Sequence, residues 1–143
     1  TIKLLENLPH IEKYYCIDPW KNYKEYIETL TTFHRMLVDY DEIYIKACNN
    51  LSRFKEKVII IREMSAEASK KIKDNSLDFI FIDGNHKYYF ARNDIILYLP
   101  KVKKGGLICG HDYSLYRFGV IRAVNELLNE VKVQKTVWYT YKK

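Results

Sequence analysis

Glycine is scarce and unevenly placed. The 143 residues contain five, at Gly84, Gly105, Gly106, Gly110 and Gly119, and none precedes residue 84. A glycine-rich phosphate loop or a first-strand dinucleotide fingerprint in the first half is therefore excluded, as are collagen-like repeats and flexible linkers. Cysteine is also scarce. Cys16, Cys48 and Cys109 are odd in number with no CxxC spacing, so neither a disulfide framework nor a zinc ribbon is readable. Cys16 and Cys109 lie in apolar runs and read as small buried hydrophobes, and a reducing cytoplasm is the expected compartment. No apolar run reaches the roughly 18 residues that span a bilayer, and no signal peptide is readable. The chain begins with Thr, not Met, which leaves open whether it starts at a natural start codon.

What is present supports a folded domain. Hydrophobic residues make up 48% and charged residues 29%, enough for a sizeable core and against wholesale disorder. The length suits one domain. The net charge of +6 comes from lysines and arginines scattered among acids. The short lysine runs around Lys101, Lys103 and Lys104 and at Lys142 and Lys143 read as solvated, so a nucleic-acid partner is not expected.

Hydrophobic patterning gives an alternation of helices and strands. Ile2, Leu4, Leu5 and Leu8 form a short helical stripe that stops near Pro9. Residues 13–18 (KYYCID) read as a strand ending in an acid. Tyr23, Tyr26, Ile27, Leu30, His34 and Leu37 recur at helical spacing, and Ile43, Ala47, Leu51 and Phe54 mark another helix over residues 41–54. The β-branched run at residues 58–61 and the apolar run at 77–82 (LDFIFI) read as strands buried on both faces. Between them Ser65 reads as the N-cap of a short helix to residue 73. A helix over 88–98 is closed by Pro100. Gly105 and Gly106 read as a turn into a strand at 107–110, then come an amphipathic helix over 120–131 and a final strand at 136–141. This order predicts an α/β domain with a mostly parallel sheet and helices on both faces.

Ligands of such sheets bind beyond the carboxyl ends of the strands. That rule picks out Asp18, Met64 and Ser65, the run from Asp83 to His86, and His111 with Asp112. A carboxylate at Asp18 matches a ribose cis-diol, and equally well caps a turn before Pro19. Ser65 could meet an adenine edge or simply cap its helix. Trp20 could cover an adenine face, whereas Trp138 reads as core. Asp83 ends a strongly apolar strand, where an unpaired carboxylate is costly. His86 is a candidate base or metal ligand. Adjacent parallel strands about 4.8 Å apart would bring Asp83 near His111 and Asp112. Such a group suits a divalent cation such as Mg²⁺, with Mn²⁺ as competitor, or base catalysis without metal. Tyr88, Tyr89 and Phe90 read as a substrate platform or as helix-start packing, and His34 as a packed histidine.

The stretch LDFIFIDGNHKYYFARNDIILYLPKVKKGGLICGHDY, residues 77–113, resembles the class I S-adenosylmethionine-dependent methyltransferases. The matching branch carries an Asp-Gly-x-His-x-Tyr segment after the fourth strand and a Gly-Gly strand ending in His-Asp-Tyr. The resemblance extends less specifically over nearly the whole chain, including Asp18-Pro19-Trp20. It implies a Rossmann-like three-layer fold and transfer of a methyl group from S-adenosylmethionine to a small acceptor, usually at oxygen. It also implies that Asp18 binds the ribose, that Met64 and Ser65 contact adenine, and that Asp83 lies near the methionine part and the acceptor. Asp83, His111 and Asp112 would hold a divalent metal, with His86 as the alternative base. The family's first strand and its glycine loop have no counterpart here; the opening TIKLLENL resembles the helix that follows that loop. A truncated chain, a remnant of a longer one or a degenerate domain would each account for this. Residues 1–143 are thus expected to be a single, N-terminally incomplete domain with unpaired strand edges. As it stands, it is expected to bind the cofactor weakly or not at all unless another chain fills the gap. A homo-oligomer remains open.

Two other classes compete. Gly-Asn-His and Gly-His-Asp suggest a metal-dependent phosphoesterase, although two-metal hydrolases need more ligands than this chain offers. The positive charge suggests a non-enzymatic nucleic-acid module, which the scatter of the charges argues against.

Overall fold

The computed structural model describes residues 1–21 and 38–143. The helix expected around Tyr23 to Leu37, with His34, lies outside the described residues. The chain divides into two compact units, residues 1–68 and 69–143. Among the described residues no helix is long and apolar enough to cross a membrane.

The first unit contains α1 (Ile2–Asn7), β1 (Tyr14–Ile17), α2 (Tyr40–Leu51) with a 3₁₀ turn at Ser52–Phe54, and β2 (Val58–Ile61). A short helix, α3 (Ser65–Ser69), runs to its boundary. β1 and β2 pair in parallel, Tyr14 opposite Val58 and Ile17 opposite Ile61. The ladder continues one step further, where the Asp18 N–H donates to the Ile61 carbonyl at 3.3 Å. Asp18 is thereby delivered at the carboxyl end of β1. α2 starts where Asp39 Oδ1 accepts the N–H groups of Asp41 and Glu42, at 2.9 and 3.0 Å. Those two acids then lie in the first turn, where the helix dipole favours negative charge. Leu5, Leu51 and Ile61 are buried, but Ile43 is 45% exposed, so the expected apolar face of α2 is only partly used.

The second unit holds β3 (Leu77–Ile82), α4 (Tyr88–Tyr98), β4 (Val102–Gly110), α5 (Phe118–Leu127), β5 (Lys132–Gln134) and β6 (Val137–Tyr141). Its sheet has the order β3-β4-β6-β5, with β3 and β4 parallel and the β5–β6 hairpin antiparallel. Among the described residues Ile95, Val102, Ile108, Val124 and Trp138 are the largest fully buried side chains. The Cys109 thiol is also buried and donates to the Ile80 carbonyl at 3.0 Å; burial pushes it up to about 11. Among the described residues β1 has β2 as its one strand neighbour, and β3 has β4.

Four expectations are corrected. Gly105 and Gly106 lie inside β4, which starts at Val102 and not after a turn. Gly105 has φ +78°, and the register with β3 shifts between Leu77 and Phe79, so the glycines form an irregularity within the strand. Ser65 is the first residue of α3 and not its cap, and that helix ends at Ser69, short of residue 73. Burial on both faces does not hold throughout β2 and β3, since Ile59 is 39% and Phe81 50% exposed. β5 was not foreseen: its three residues, Lys132, Val133 and Gln134, are all exposed and carry no apolar alternation.

Gly110 fixes the end of β4. A Cβ there would lie 2.5 Å from the Ile82 carbonyl oxygen and 2.5 Å from a ring carbon of Trp138. Both neighbours are rigid, one backbone and the other a buried ring. Gly110→Ala is expected to destabilise the protein by about 1–3 kcal/mol, the usual cost of overpacking. The measurement is the urea midpoint at unchanged slope.

Candidate functional site

The second unit brings Asp83, His86, His111 and Asp112 together. Asp83 follows the last residue of β3. Asn85, which is buried, accepts the Lys87 N–H on Oδ1 at 2.9 Å, turning the chain into α4 and setting His86 on the inside of the turn. The His111 N–H donates to the Ile82 carbonyl at 3.0 Å, so the β3–β4 ladder runs one step past Gly110. Asp112 has φ +61°, a strained conformation for a residue with a Cβ. That bend aims its carboxylate back toward the strand ends.

The resulting contacts are close. His86 Nε2 lies 2.6 Å from Asp112 Oδ2. His111 Nδ1 lies 3.4 Å from the same oxygen and 3.8 Å from Asp83 Oδ1. Asp83, His86 and Asp112 each offer a donor atom, all within 4.8 Å of one another. Among the described residues this group of three holds His86 in place of the expected His111, whose Nδ1 faces Asp83 and Asp112 from beside it. Partial burial pushes the Asp83 carboxyl above its ordinary value; His111 opposes this, Asp112 adds to it and His86 opposes it. A crevice of about 10 Å³, room for one water, lies beside the cluster and is lined by Asp83, His86, Ile95, His111 and Trp138.

Three contacts hold the 111–113 segment against the hairpin. Trp138 Nε1 donates to the His111 carbonyl at 3.2 Å, and the Tyr113 N–H donates to the Thr136 carbonyl at 3.0 Å. Thr136 Oγ1 lies 2.9 Å from His111 Nε2. Thr136 was not foreseen as part of the site, because its β-forming character read only as the start of a strand. Of the expected aromatic platform, Tyr88 is tied to the Glu126 carboxylate and lies under Arg122, while Tyr89 is 80% exposed.

The first unit carries Asp18, Trp20, Met64 and Ser65. Asp18 Oδ1 accepts the Trp20 N–H at 2.6 Å, and burial outweighs this bond to push the Asp18 carboxyl up. Trp20 has φ +40° and a buried side chain, edge-on to Tyr44 with ring centroids 5.2 Å apart. Its backbone, more than its ring, is what meets Asp18. Arg62 reinforces this turn by donating to the Trp20 carbonyl at 3.0 Å while lying over Tyr44 and pairing with Asp41. Arg62 is a positioning residue that the sequence pattern did not reveal. The Met64 carbonyl accepts the N–H groups of Glu67 and Ala68, each at 3.0 Å, which leaves Ser65 at the start of α3.

Comparison with known proteins gives a consistent result. The family model for a methyltransferase domain matches residues 1–113. An uncharacterised protein of Acanthamoeba polyphaga mimivirus is 39% identical over 69 residues, which are 47% of this chain and 31% of that protein. Among solved structures, the O-methyltransferase NovP is similar with a TM-score of 0.65 at 14% identity, covering 91% of this chain and 60% of that one. Spermidine synthase from Thermotoga maritima is similar with a TM-score of 0.57 at 12% identity, covering 100% and 49%. The chain therefore spans less than a third of its mimiviral relative and 60% of NovP. The structural likenesses establish the fold, which is α/β and Rossmann-like.

The raised Asp18 carboxyl has a consequence for stability. An acid whose folded pKa is raised costs nothing below its unfolded pKa, about 4, and costs progressively more as pH rises through the folded value. Asp18→Asn keeps an oxygen for the Trp20 N–H and removes the charge. The variant is expected to melt higher than the parent at neutral pH, with the gain vanishing near pH 3. Thermal unfolding across that range measures it.

Proposed function

The chain belongs to the methyltransferase-domain family, and on that premise we propose that it transfers the methyl group of S-adenosylmethionine to a small-molecule acceptor at a hydroxyl oxygen. The observation that carries this reading is the cluster of two carboxylates and two imidazoles at the carboxyl ends of β3 and β4. Methylation of a hydroxyl needs its proton removed as the carbon–oxygen bond forms. An imidazole buttressed by a carboxylate is suited to that task.

The roles proposed are those that the family resemblance implies. The Asp18 carboxylate accepts hydrogen bonds from the ribose hydroxyls, and Met64 with Ser65 meets the adenine edge. Trp20 contributes by holding Asp18 through its N–H. Asp83 would lie near the methionine part of the donor and the acceptor, as the resemblance implies. His86, whose Nε2 is engaged by Asp112, takes the acceptor's proton at its other ring nitrogen. The new bond joins the acceptor oxygen to the methyl carbon, the bond from that carbon to sulfur breaks, and the proton ends on the imidazole. The electron pair of the broken bond leaves with S-adenosylhomocysteine.

The donor set also fits a divalent cation. Asp83, Asp112 and the Nδ1 of His111 would hold it, and an imidazole donor suits Mn²⁺ better than Mg²⁺, which prefers oxygen. When bound, such an ion lowers the pKa of an acceptor hydroxyl and orients it.

Calorimetric titration of the full-length protein with S-adenosylhomocysteine tests the reading. Binding is expected, and Asp18→Ala is expected to weaken it at least tenfold. In the methyl-transfer assay His86→Ala is expected to lower kcat by about 10²–10⁴-fold, the usual worth of a general base, with cofactor affinity unchanged. Absence of S-adenosylhomocysteine binding by the full-length parent would overturn it.

A further inference from the structure

The tip of the β5–β6 hairpin touches the cluster through one side chain. The reversal is made by Lys135 and Thr136, between Gln134 and Val137, which are paired. Lys135 has φ +58°, a left-handed position that two-residue hairpin turns require and that glycine or asparagine usually fills. The strained turn sets Thr136 facing the 111–113 segment, where it is held twice: its carbonyl by the Tyr113 N–H and its hydroxyl by His111 Nε2. Two residues on, Trp138 is 1% exposed and donates to the His111 carbonyl. The backbone of His111 is thus fixed by Ile82 and Trp138, and the ring by Thr136.

The ring has a definite need for that partner. Its Nδ1 faces two carboxylates, on Asp112 and Asp83. Turning the ring over would aim Nδ1 at the hairpin and waste that arrangement. A hydroxyl can donate or accept. It can therefore serve Nε2 when Nδ1 carries a proton toward the carboxylates. It serves equally when Nδ1 presents a lone pair to a cation and Nε2 must donate. Outer contacts of this kind orient metal-ligating histidines and raise their effectiveness.

We propose that Thr136 is a positioning residue, whose hydroxyl holds the His111 ring with Nδ1 turned to Asp83 and Asp112 so that the three can grip a divalent cation. Thr136 lies beyond residues 1–113, the part matched by the family model, so the assignment comes from this chain's own hairpin. The proposal rests on the cation reading given above, and the test separates the two.

Two variants of the full-length protein suffice. Thr136→Val keeps the shape and removes the hydroxyl; Thr136→Ser keeps the hydroxyl. Mn²⁺ binding is measured by calorimetry, and crystal structures of both metal-free variants and the parent report the ring orientation. Thr136→Val is expected to bind Mn²⁺ about 10–100-fold more weakly than the parent, the usual range for lost outer contacts, with the His111 ring turned from Asp112. Thr136→Ser is expected to restore both within about threefold, as a retained hydrogen bond should. A Val variant whose ring keeps its place, or whose Mn²⁺ affinity equals a measurable parent affinity, overturns the proposal. If the parent binds no Mn²⁺ but the ring still turns in Thr136→Val, the cation reading falls and the positioning role stands.

Discussion

The close approach of β3, β4 and the Trp138 ring at Gly110 sets the geometry on which the second unit's site depends. A side chain at that position would strike both the Ile82 carbonyl and the indole. Without one, β4 settles against β3 through its last residue, and the His111 N–H extends the ladder. The ring that occupies the vacated space also donates to His111. One small residue therefore lets a buried aromatic act as both core and clamp. Asp83 and the 111–112 pair face each other because the strands carrying them stay in register to their ends.

Charge in the cluster is balanced within a small space. The Asp112 carboxylate opposes the ionisation of Asp83, and the two imidazoles relieve that. The arrangement stands in contrast to the ion pairs elsewhere, such as Lys103 with Asp78 or Lys143 with Glu130, which are exposed and contribute little. The cluster's order comes from backbone devices: the Asn85 turn, the left-handed Asp112 and the strained hairpin at Lys135.

Much of this was legible in the sequence, for physical reasons. β3 and α4 fall at 77–82 and 88–98 as read, because a dense apolar run and a helical stripe bounded by Pro100 leave little choice. The rule that ligands gather at strand ends singled out Asp18, Asp83, His86, His111 and Asp112 as candidates, since it depends only on where strands stop. What escaped detection was non-local. β5 has no apolar face of its own and exists because β6 pairs with it. The irregularity at Gly105 depends on how β4 passes β3 and the chain's end, where Gly105 N–H donates to Lys142 at 2.7 Å. Thr136 and Arg62 become part of the picture only through partners 25 and 42 positions away. No spacing rule reaches that far.

The thiol of Cys109 gives one of these strands a further property. It is shielded from solvent, spends its hydrogen on the Ile80 carbonyl and resists ionisation, so the thiolate that reagents attack is almost absent at neutral pH. Alkylation at this position requires a local opening that exposes the thiol. The rate at which Cys109 becomes labelled is therefore a clock for local opening around this thiol, built into the sheet one residue before Gly110. It can report how often this end of the sheet opens by thermal motion without any engineered probe.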